Sequence, residues 1–341
     1  MTKSVAILGA SGYTGAELVR IIAGHPDMEI AALSADRKAG MAMADVFPHL
    51  RHLDLPELQT MDAIDFSGID LAFAALPHGL MHAFAKSMPD HLKVVDLSAD
   101  FRLRDADAYK AWYGLDHTAM DLQPDVAFGL PEFYRDDIAD ARITANTGCY
   151  VATTLLPLIP LLRAGVIAPQ GIVVDAKSGV SGAGRAPNEA TLFSEVNEGF
   201  KAYGVGAHRH MGELDQELSL AAGRPVTVSF TPHLVPMTRG MQATIYAAGD
   251  ANAVHDTLVA AHQDAAFVDV LPMGEVPQVQ HVRGSNRCRI GVIKDRVKDR
   301  VIVISVLDNL MKGASGQAVQ NANLMLGLDE RAGLMMAPMF P

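Results

Sequence analysis

Residues 4–22, SVAILGASGYTGAELVRII, constrain the fold more than any other stretch of the chain. Residues 4–8 are a short apolar run, and Gly9, Gly12 and Gly15 follow it at intervals of three. Ala16, Leu18, Val19, Ile21 and Ile22 then recur at helical spacing until Gly24 and Pro26 stop the helix. Met28 to Leu33 is a second strand-length apolar run, so the chain opens on a complete β–α–β unit.

The alternation continues. IDLAFAAL (69–76) and LKVVDL (92–97) have the composition of buried parallel strands, with a helical segment at 79–88 between them, and RITAN (142–146) is a further strand. After Cys149 the character shifts: a helix through about Arg163 leads to the strand GIVVDAKSG, then to a loop rich in Gly and Ser. Strand-like runs follow at 226–235, 241–247, 288–293 and 300–307. The expected architecture is α/β: a Rossmann-like domain over 1–148, completed by the C-terminal segment 311–341, and a mixed-sheet α+β domain over 149–310. A chain of 341 residues fits two domains.

Composition excludes several classes of function. A formal charge of −11 argues against tracking nucleic-acid phosphates. The longest nearly apolar stretch, VATTLLPLIPLLRAG, is broken by two threonines and two prolines and falls short of the ~20 residues that span a bilayer. The two cysteines, Cys149 and Cys288, make no disulfide framework, and no Cys/His cluster has zinc spacing, so no metal is expected. The N-terminal segment has neither a secretory nor a transit layout, which points to the cytoplasm.

The turn GASGYTG lies between a strand and a helix, where glycines let backbone approach a pyrophosphate and helix N–H groups hold it. Its spacing is GxxGxxG rather than GxGxxG. After the second strand comes LSADRKAG. Ser34, Arg37 and Lys38 suit the 2′-phosphate of NADP, while Asp36, near the usual offset for a ribose-binding carboxylate, points the other way.

Cys149, in NTGCYVATT, falls in the first turn of its helix, where a thiol is readily ionised, and near the carboxyl ends of the strands. Cys288, alternating with Arg287 and Arg289, reads as sheet packing. Of 13 histidines, His208 and His210 flank Arg209 at the start of an amphipathic helix and are the candidates for proton transfer, with Arg209 for an anion.

Together GASGYTGAEL, ALPHG, DLSADFRL, FGLPEFYR, NTGCYVATT, KSGVSGAGR, HRHMGEL and NLMKGASGQAVQNAN closely resemble the N-acetyl-gamma-glutamyl-phosphate reductase family of bacterial arginine biosynthesis, from residue 7 to about 323. The resemblance implies an NADPH-dependent reductase that takes an acyl phosphate to an aldehyde through a Cys149 thioester, at the junction of two domains. It implies cofactor contacts at Gly9, Ser11, Gly12, Tyr13, Thr14 and Gly15, with Ser34 and Arg37 on the ribose side. A second loop of Ser178, Gly179, Ser181 and Gly182 lies near the nicotinamide, closed by Asn309, Lys312 and Gly313. His208 becomes the general acid/base with His210 as the alternative. Arg102 and Arg209 grip the substrate's phosphate or carboxylate, where the planar guanidinium offers a bidentate fork. The alternative for Arg102 is an ion pair with Asp100 or Asp105.

Two positions depart from the family pattern: Thr147 and Gly212 stand where proline is usual, which bears on the rigidity of two turns and not on the chemistry. Competing readings keep the chemistry with aspartyl phosphate or a carrier-bound aminoadipyl phosphate, or keep only the fold as a non-catalytic NADP-binding sensor. The strand-rich second domain offers sheet surface for self-association, and relatives are dimers or tetramers.

Overall fold

The computed structural model describes residues 2–340. Two compact units divide the chain: one runs to Thr147 and adds Ala314–Met335, the other is Gly148–Gly313 with the tail from Met336. The tail therefore belongs with the second unit and not, as expected, with the first. Met339 N–H donates to Arg283 O at 2.8 Å, and the Met339 side chain fills the space left by Gly284.

The first unit is built on seven strands: β1 (Lys3–Leu8), β2 (Met28–Ser34), β3 (Leu58–Gln59), β4 (Leu71–Ala74), β5 (Lys93–Asp96), β6 (Val126–Gly129) and β7 (Ile143–Asn146). Their order is β3-β2-β1-β4-β5-β7-β6 and every pairing is parallel. β1 pairs with β2 on one side and β4 on the other, so the strand order reverses at its carboxyl end, the place where such sheets bind ligands. The glycine turn begins there. The helix Gly316–Met325 is buried along its whole length, with Gln317, Gln320, Asn321 and Asn323 all inaccessible to solvent.

The second unit carries a mixed sheet: β8 (Val173–Ser178), β9 (Lys201–Ala202), β10 (Ser229–Leu234), β11 (Met241–Ala248), β12 (Val268–Val270), β13 (Cys288–Lys294) and β14 (Arg300–Leu307), ordered β12-β13-β14-β11-β8-β10-β9. Burial alternates along β11 and β14. Ala243, Ile245, Val301 and Val303 are buried on the face that meets the helices Cys149–Arg163 and Ala251–His262, whereas Thr244, Tyr246, Ile302 and Ile304 stay half-exposed on the other. Among the described residues, one face of this sheet is thus without helices. Cys288 is buried in β13 with its Sγ 3.4 Å from Ser305 Oγ.

The helix Cys149–Arg163 holds Pro157 and Pro160 in its interior. Pro160 has no N–H for the Leu156 carbonyl four residues earlier. His262 supplies the missing donor, its Nε2 lying 2.9 Å from Leu156 O.

Candidate active site

In the first unit, Gly9 has φ of +86°, and a Cβ on it would lie 2.3 Å from Ala75 O. A Cβ on Gly15 would lie 2.5 Å from Gly9 O. These two glycines close the turn against β4 and against itself. Gly12 is different: a Cβ there meets nothing nearer than Gly9 O at 3.6 Å. It is the N-cap of the helix Tyr13–Ile22, and no side chain caps that helix. The space over its first N–H groups is therefore open, as a pyrophosphate requires. Ser11 and Thr14 are half-exposed beside it, and Tyr13 is exposed.

Ser34 is buried, and its Oγ accepts from Gly9 N–H at 3.2 Å. It braces the glycine turn. Arg37 and Lys38 are exposed on the loop that follows.

DLSADFR begins at the last residue of β5 and is buried except at Leu97, which is half-exposed. Asp100 accepts from Gly79 N–H at both oxygens (2.8 Å), from Met81 N–H (3.0 Å) and from Tyr109 OH (2.9 Å). This fully buried carboxylate fixes the ALPHG loop to the start of the helix Met81–Ser87. Burial pushes the Asp96 carboxyl up to about 7, with Ser98 and Arg102 opposing the rise. Arg102 is also buried, and one guanidinium nitrogen donates to Leu97 O at 3.1 Å. Asp105 caps the helix Ala106–Tyr113.

Asn146 and Thr147 carry the chain out of β7. Asn146 Nδ2 donates to Ala314 O at 3.1 Å, Asn321 Nδ2 donates to Asn146 Oδ1 at 2.9 Å, and Gln317 Nε2 donates to Thr147 Oγ1. The turn that lacks the family's proline is held by side chains of the returning helix.

In the second unit, Cys149 is the first residue of the helix Cys149–Arg163, half-buried, with Gly148 as N-cap. Negative charge is favoured at that position. Tyr150 beside it is buried; its OH donates to His233 O (3.3 Å) and receives Tyr203 OH (3.0 Å). Burial raises both phenols, Tyr203 to about 12, so both remain neutral donors. The Tyr150 ring meets His208 and His210 edge-on at 5.4 and 6.0 Å.

His210 begins the helix His210–Ala222, and its backbone N–H donates to His208 Nδ1 at 3.2 Å. That bond places the proton of a neutral His208 on Nε2. Burial, and then the charge of Arg209, lowers the His208 pKa to about 4, so the ring is neutral near pH 7. Arg209 is exposed.

The glycine loop after β8 is tightly fitted. A Cβ on Gly179 would lie 2.9 Å from Met237 O and from Thr238 O, and one on Gly182 3.0 Å from Ser178 Oγ. Asn309 ties this loop down, donating from Nδ2 to Ser181 Oγ (2.9 Å) and accepting Gly240 N–H (2.8 Å). Asp308 holds the same segment: its carboxylate accepts from the N–H groups of Gly284 (2.7 Å) and Leu310 (2.8 Å). Lys312 is fully buried, and Gly313 lies against Cys149, its missing Cβ 2.7 Å from Cys149 Cβ.

Of the expected residues, the second unit brings His208 and His210 around Tyr150 and sets Gly313 against Cys149. Sequence reasoning passed over Tyr150, Tyr203, Asp100 and Asp308. The one signal is for Asp308, an acidic residue directly at the end of an apolar strand run; Asp100 lies three residues beyond the run 92–97 and carries no such mark. Among the described residues no helix is long and apolar enough to cross a membrane, and no group of three His, Cys, Asp or Glu is placed to hold a metal ion.

Residues 4–141 match the family model for the semialdehyde dehydrogenase NAD binding domain, and residues 149–309 that for the semialdehyde dehydrogenase dimerisation domain. The N-acetyl-gamma-glutamyl-phosphate reductases of Ruegeria pomeroyi and Paracoccus denitrificans are 60% and 58% identical to the chain, each with 100% of both chains covered. Among solved structures, aspartate semialdehyde dehydrogenase II of Vibrio cholerae, complexed with ASA, shares the fold with a TM-score of 0.73 at 20% identity, covering 96% of this chain and 99% of that one. The Candida albicans aspartate semialdehyde dehydrogenase with NADP gives 0.69 at 19%, covering 96% and 99%. The chain belongs to the semialdehyde dehydrogenase family and, within it, to the N-acetyl-gamma-glutamyl-phosphate reductases.

Proposed function

We propose that this chain reduces N-acetyl-L-glutamyl 5-phosphate to N-acetyl-L-glutamate 5-semialdehyde and phosphate with NADPH, in arginine biosynthesis. The observation that carries the reading is Cys149: a half-buried thiol at a helix N-terminus, beside two neutral tyrosines and a neutral histidine. It stands in a chain whose relatives carry that reductase's name at 56–60% identity.

The Cys149 thiolate attacks the acyl carbon, the bond to the phosphate oxygen breaks, and a thioester remains on Sγ. His208 donates from Nε2–H to the carbonyl oxygen as it becomes negative, which a neutral ring does without first losing a proton. NADPH, when bound, supplies the hydride. The thiohemiacetal oxyanion, held by the His208 Nε2–H, re-forms the carbonyl as its C–S bond breaks, which returns the Cys149 thiolate and releases the aldehyde. Arg209 meets the phosphate or carboxylate of the substrate, and Arg102, partly spent on Leu97 O, braces the turn after β5. His210 fixes the His208 tautomer.

The open turn at Ser11, Gly12, Tyr13 and Thr14 suits the pyrophosphate, and Arg37 suits the 2′-phosphate. The loop Ser178–Gly182, closed by Asn309 and the Lys312–Gly313 pair, borders the nicotinamide. The helix-free sheet face supports self-association as a dimer or tetramer, and two free thiols suit the reducing cytoplasm.

Mass spectrometry of the enzyme quenched with acyl phosphate and no NADPH tests the reading. The expected result is an N-acetylglutamyl adduct on Cys149, absent in Cys149→Ser. An adduct elsewhere, or one formed only with aspartyl phosphate, refutes it.

A further inference from the structure

From Gly182 to Ala207 the second unit sends out a long excursion in which only Val196 is buried. It nevertheless carries Leu192, Phe193, Phe200 and Val205, exposed at 49%, 80%, 62% and 62%. Single exposed apolar residues are ordinary, but a run of large ones on one segment marks a surface meant to be covered. Its own structure is slight: a turn at Glu189–Thr191, one helical turn at Phe193–Val196 and the two residues of β9. Loops of this length in a compact domain are uncommon and usually functional.

Both ends of the excursion are tied to the site. At its start Ser181 Oγ accepts from Asn309, and at its end Tyr203 OH donates to Tyr150 OH. Between them, Phe200 stacks on the His233 ring at 5.0 Å with planes 18° apart. His233 belongs to the helix-free face of the sheet, level with Lys177 in the register, with its Nδ1 3.2 Å from Ala176 O and 3.1 Å from Asp175 Oδ1. Through Phe200 the apolar segment thus joins that face, in the region matched by the dimerisation-domain model.

We infer that residues 182–207 are an arm that docks on a second copy of this chain, and that the partner, by covering it, holds in place the Tyr203–Tyr150 bond already formed within the chain, so that turnover is full only in the oligomer. The inference rests on the self-association reading and adds to it which surface is covered and what that does to catalysis. Continuity with the helix-free face selects a second copy as the occupant, because a two-fold pair brings the same face and the same arm from each side.

The test compares Phe193→Asp, at the most exposed apolar position of the arm, with Val259→Asp, 43% exposed on the helix Ala251–His262 that packs on the other face. Sedimentation velocity over a concentration series should show self-association weakened at least tenfold in Phe193→Asp and unchanged in Val259→Asp. At low protein concentration the kcat of Phe193→Asp should fall with its fraction of monomer and recover as concentration rises. Amides of 192–205 should exchange more slowly in the wild-type oligomer than in its diluted form. Val205→Asp must give the same shift if Phe193→Asp does not fold. Wild-type association in a folded arm variant, or a monomer with full kcat, overturns the inference and leaves self-association standing. A wild-type chain that is monomeric throughout, its arm covered by its own first unit, overturns both.

Discussion

Gly313→Ala tests the geometry of Cys149, the proposed nucleophile, without touching its chemistry. A Cβ at this position would lie 2.7 Å from Cys149 Cβ, 3.2 Å from Cys149 Cα and 3.1 Å from Leu307 Cδ1. Gly313 is not among the glycines with positive φ, so alanine meets no backbone strain and only the contact matters. Carbon atoms in contact prefer about 3.5–4.0 Å, so the new methyl requires a displacement of about 1 Å. Neither side yields easily. Cys149 Cβ is fixed to a helix backbone whose residues from Tyr150 to Leu162 are all buried, and Gly313 N–H is bonded to Asp308 O at 3.0 Å. A misplacement of about 1 Å costs on the order of 100-fold in rate, which sets the expected fall in kcat. Overpacking of this kind costs about 1–3 kcal/mol, so the variant folds. Steady-state turnover in both directions, with the rate of iodoacetamide alkylation of Cys149 and a urea unfolding midpoint, separates displacement from unfolding. A kcat within threefold of wild type in a folded Gly313→Ala refutes the reasoning, because it shows that the contact does not aim the thiol.

Gly12→Ala should fold with wild-type stability, since its Cβ has room, yet raise the KM for NADPH about tenfold or ~1.4 kcal/mol by filling the space over the helix; an unchanged KM places the pyrophosphate elsewhere. Asp100→Ala strands two buried donors, Met81 N–H and Tyr109 OH, and the more exposed Gly79 N–H, and should lower unfolding free energy by about 2–4 kcal/mol; a midpoint matching wild type would mean the ALPHG loop is held by other contacts. The pKa of His208 is depressed, so its contribution to stability is present above 6.5 and is lost as pH falls through about 4, a window worth about 3 kcal/mol at 1.36 kcal/mol per pH unit. Urea unfolding of His208→Asn should therefore show a shallower acid decline than wild type between those values. Asp96, whose pKa is raised, acts in the opposite sense, favouring the fold below 3.8 and losing that as pH rises through about 7, in both proteins alike. Thr147→Val removes the acceptor for Gln317 and should cost about 1–3 kcal/mol, whereas Thr147→Ser should keep wild-type stability; equal melting of the two would assign the turn's rigidity to Asn146 alone.

The strands that the sequence made legible are the interior ones. β1, β2, β4, β5 and β7 of the parallel sheet, and β8, β10, β11, β13 and β14 of the mixed one, all stand out, the first as mostly buried apolar runs and the second as runs in which buried residues alternate on one covered face. The four that were not foreseen, β3, β6, β12 and β9, are the four edges of the two sheets. They have two to four residues each, LQ, VAFG, VDV and KA, and an edge strand of that length carries too few apolar positions to show a period.

The site divides in a similar way. Gly9, Gly12, Cys149 and His208 are legible because each sits where a turn meets a helix or strand, and local chemistry marks such places. Their supports come from far along the chain and carry no local mark: Asn321 holds Asn146 across 175 residues, and Tyr203 meets Tyr150 across 53. Asp100 and Asp308 resemble loop carboxylates until the buried N–H groups aimed at them are seen. Thr147 shows what this distance conceals. Read locally, the loss of proline there loosens the turn that aims Cys149. In the folded chain Gln317 donates to the Thr147 hydroxyl, and Asn321 and Ala314 hold Asn146, so hydrogen bonds to the buried helix take over what a fixed φ does elsewhere. The rigidity of the turn then depends on the docking of residues 314–325, and a change that loosens that helix, such as Gln317→Leu, should slow Cys149 chemistry without altering a single residue that touches substrate.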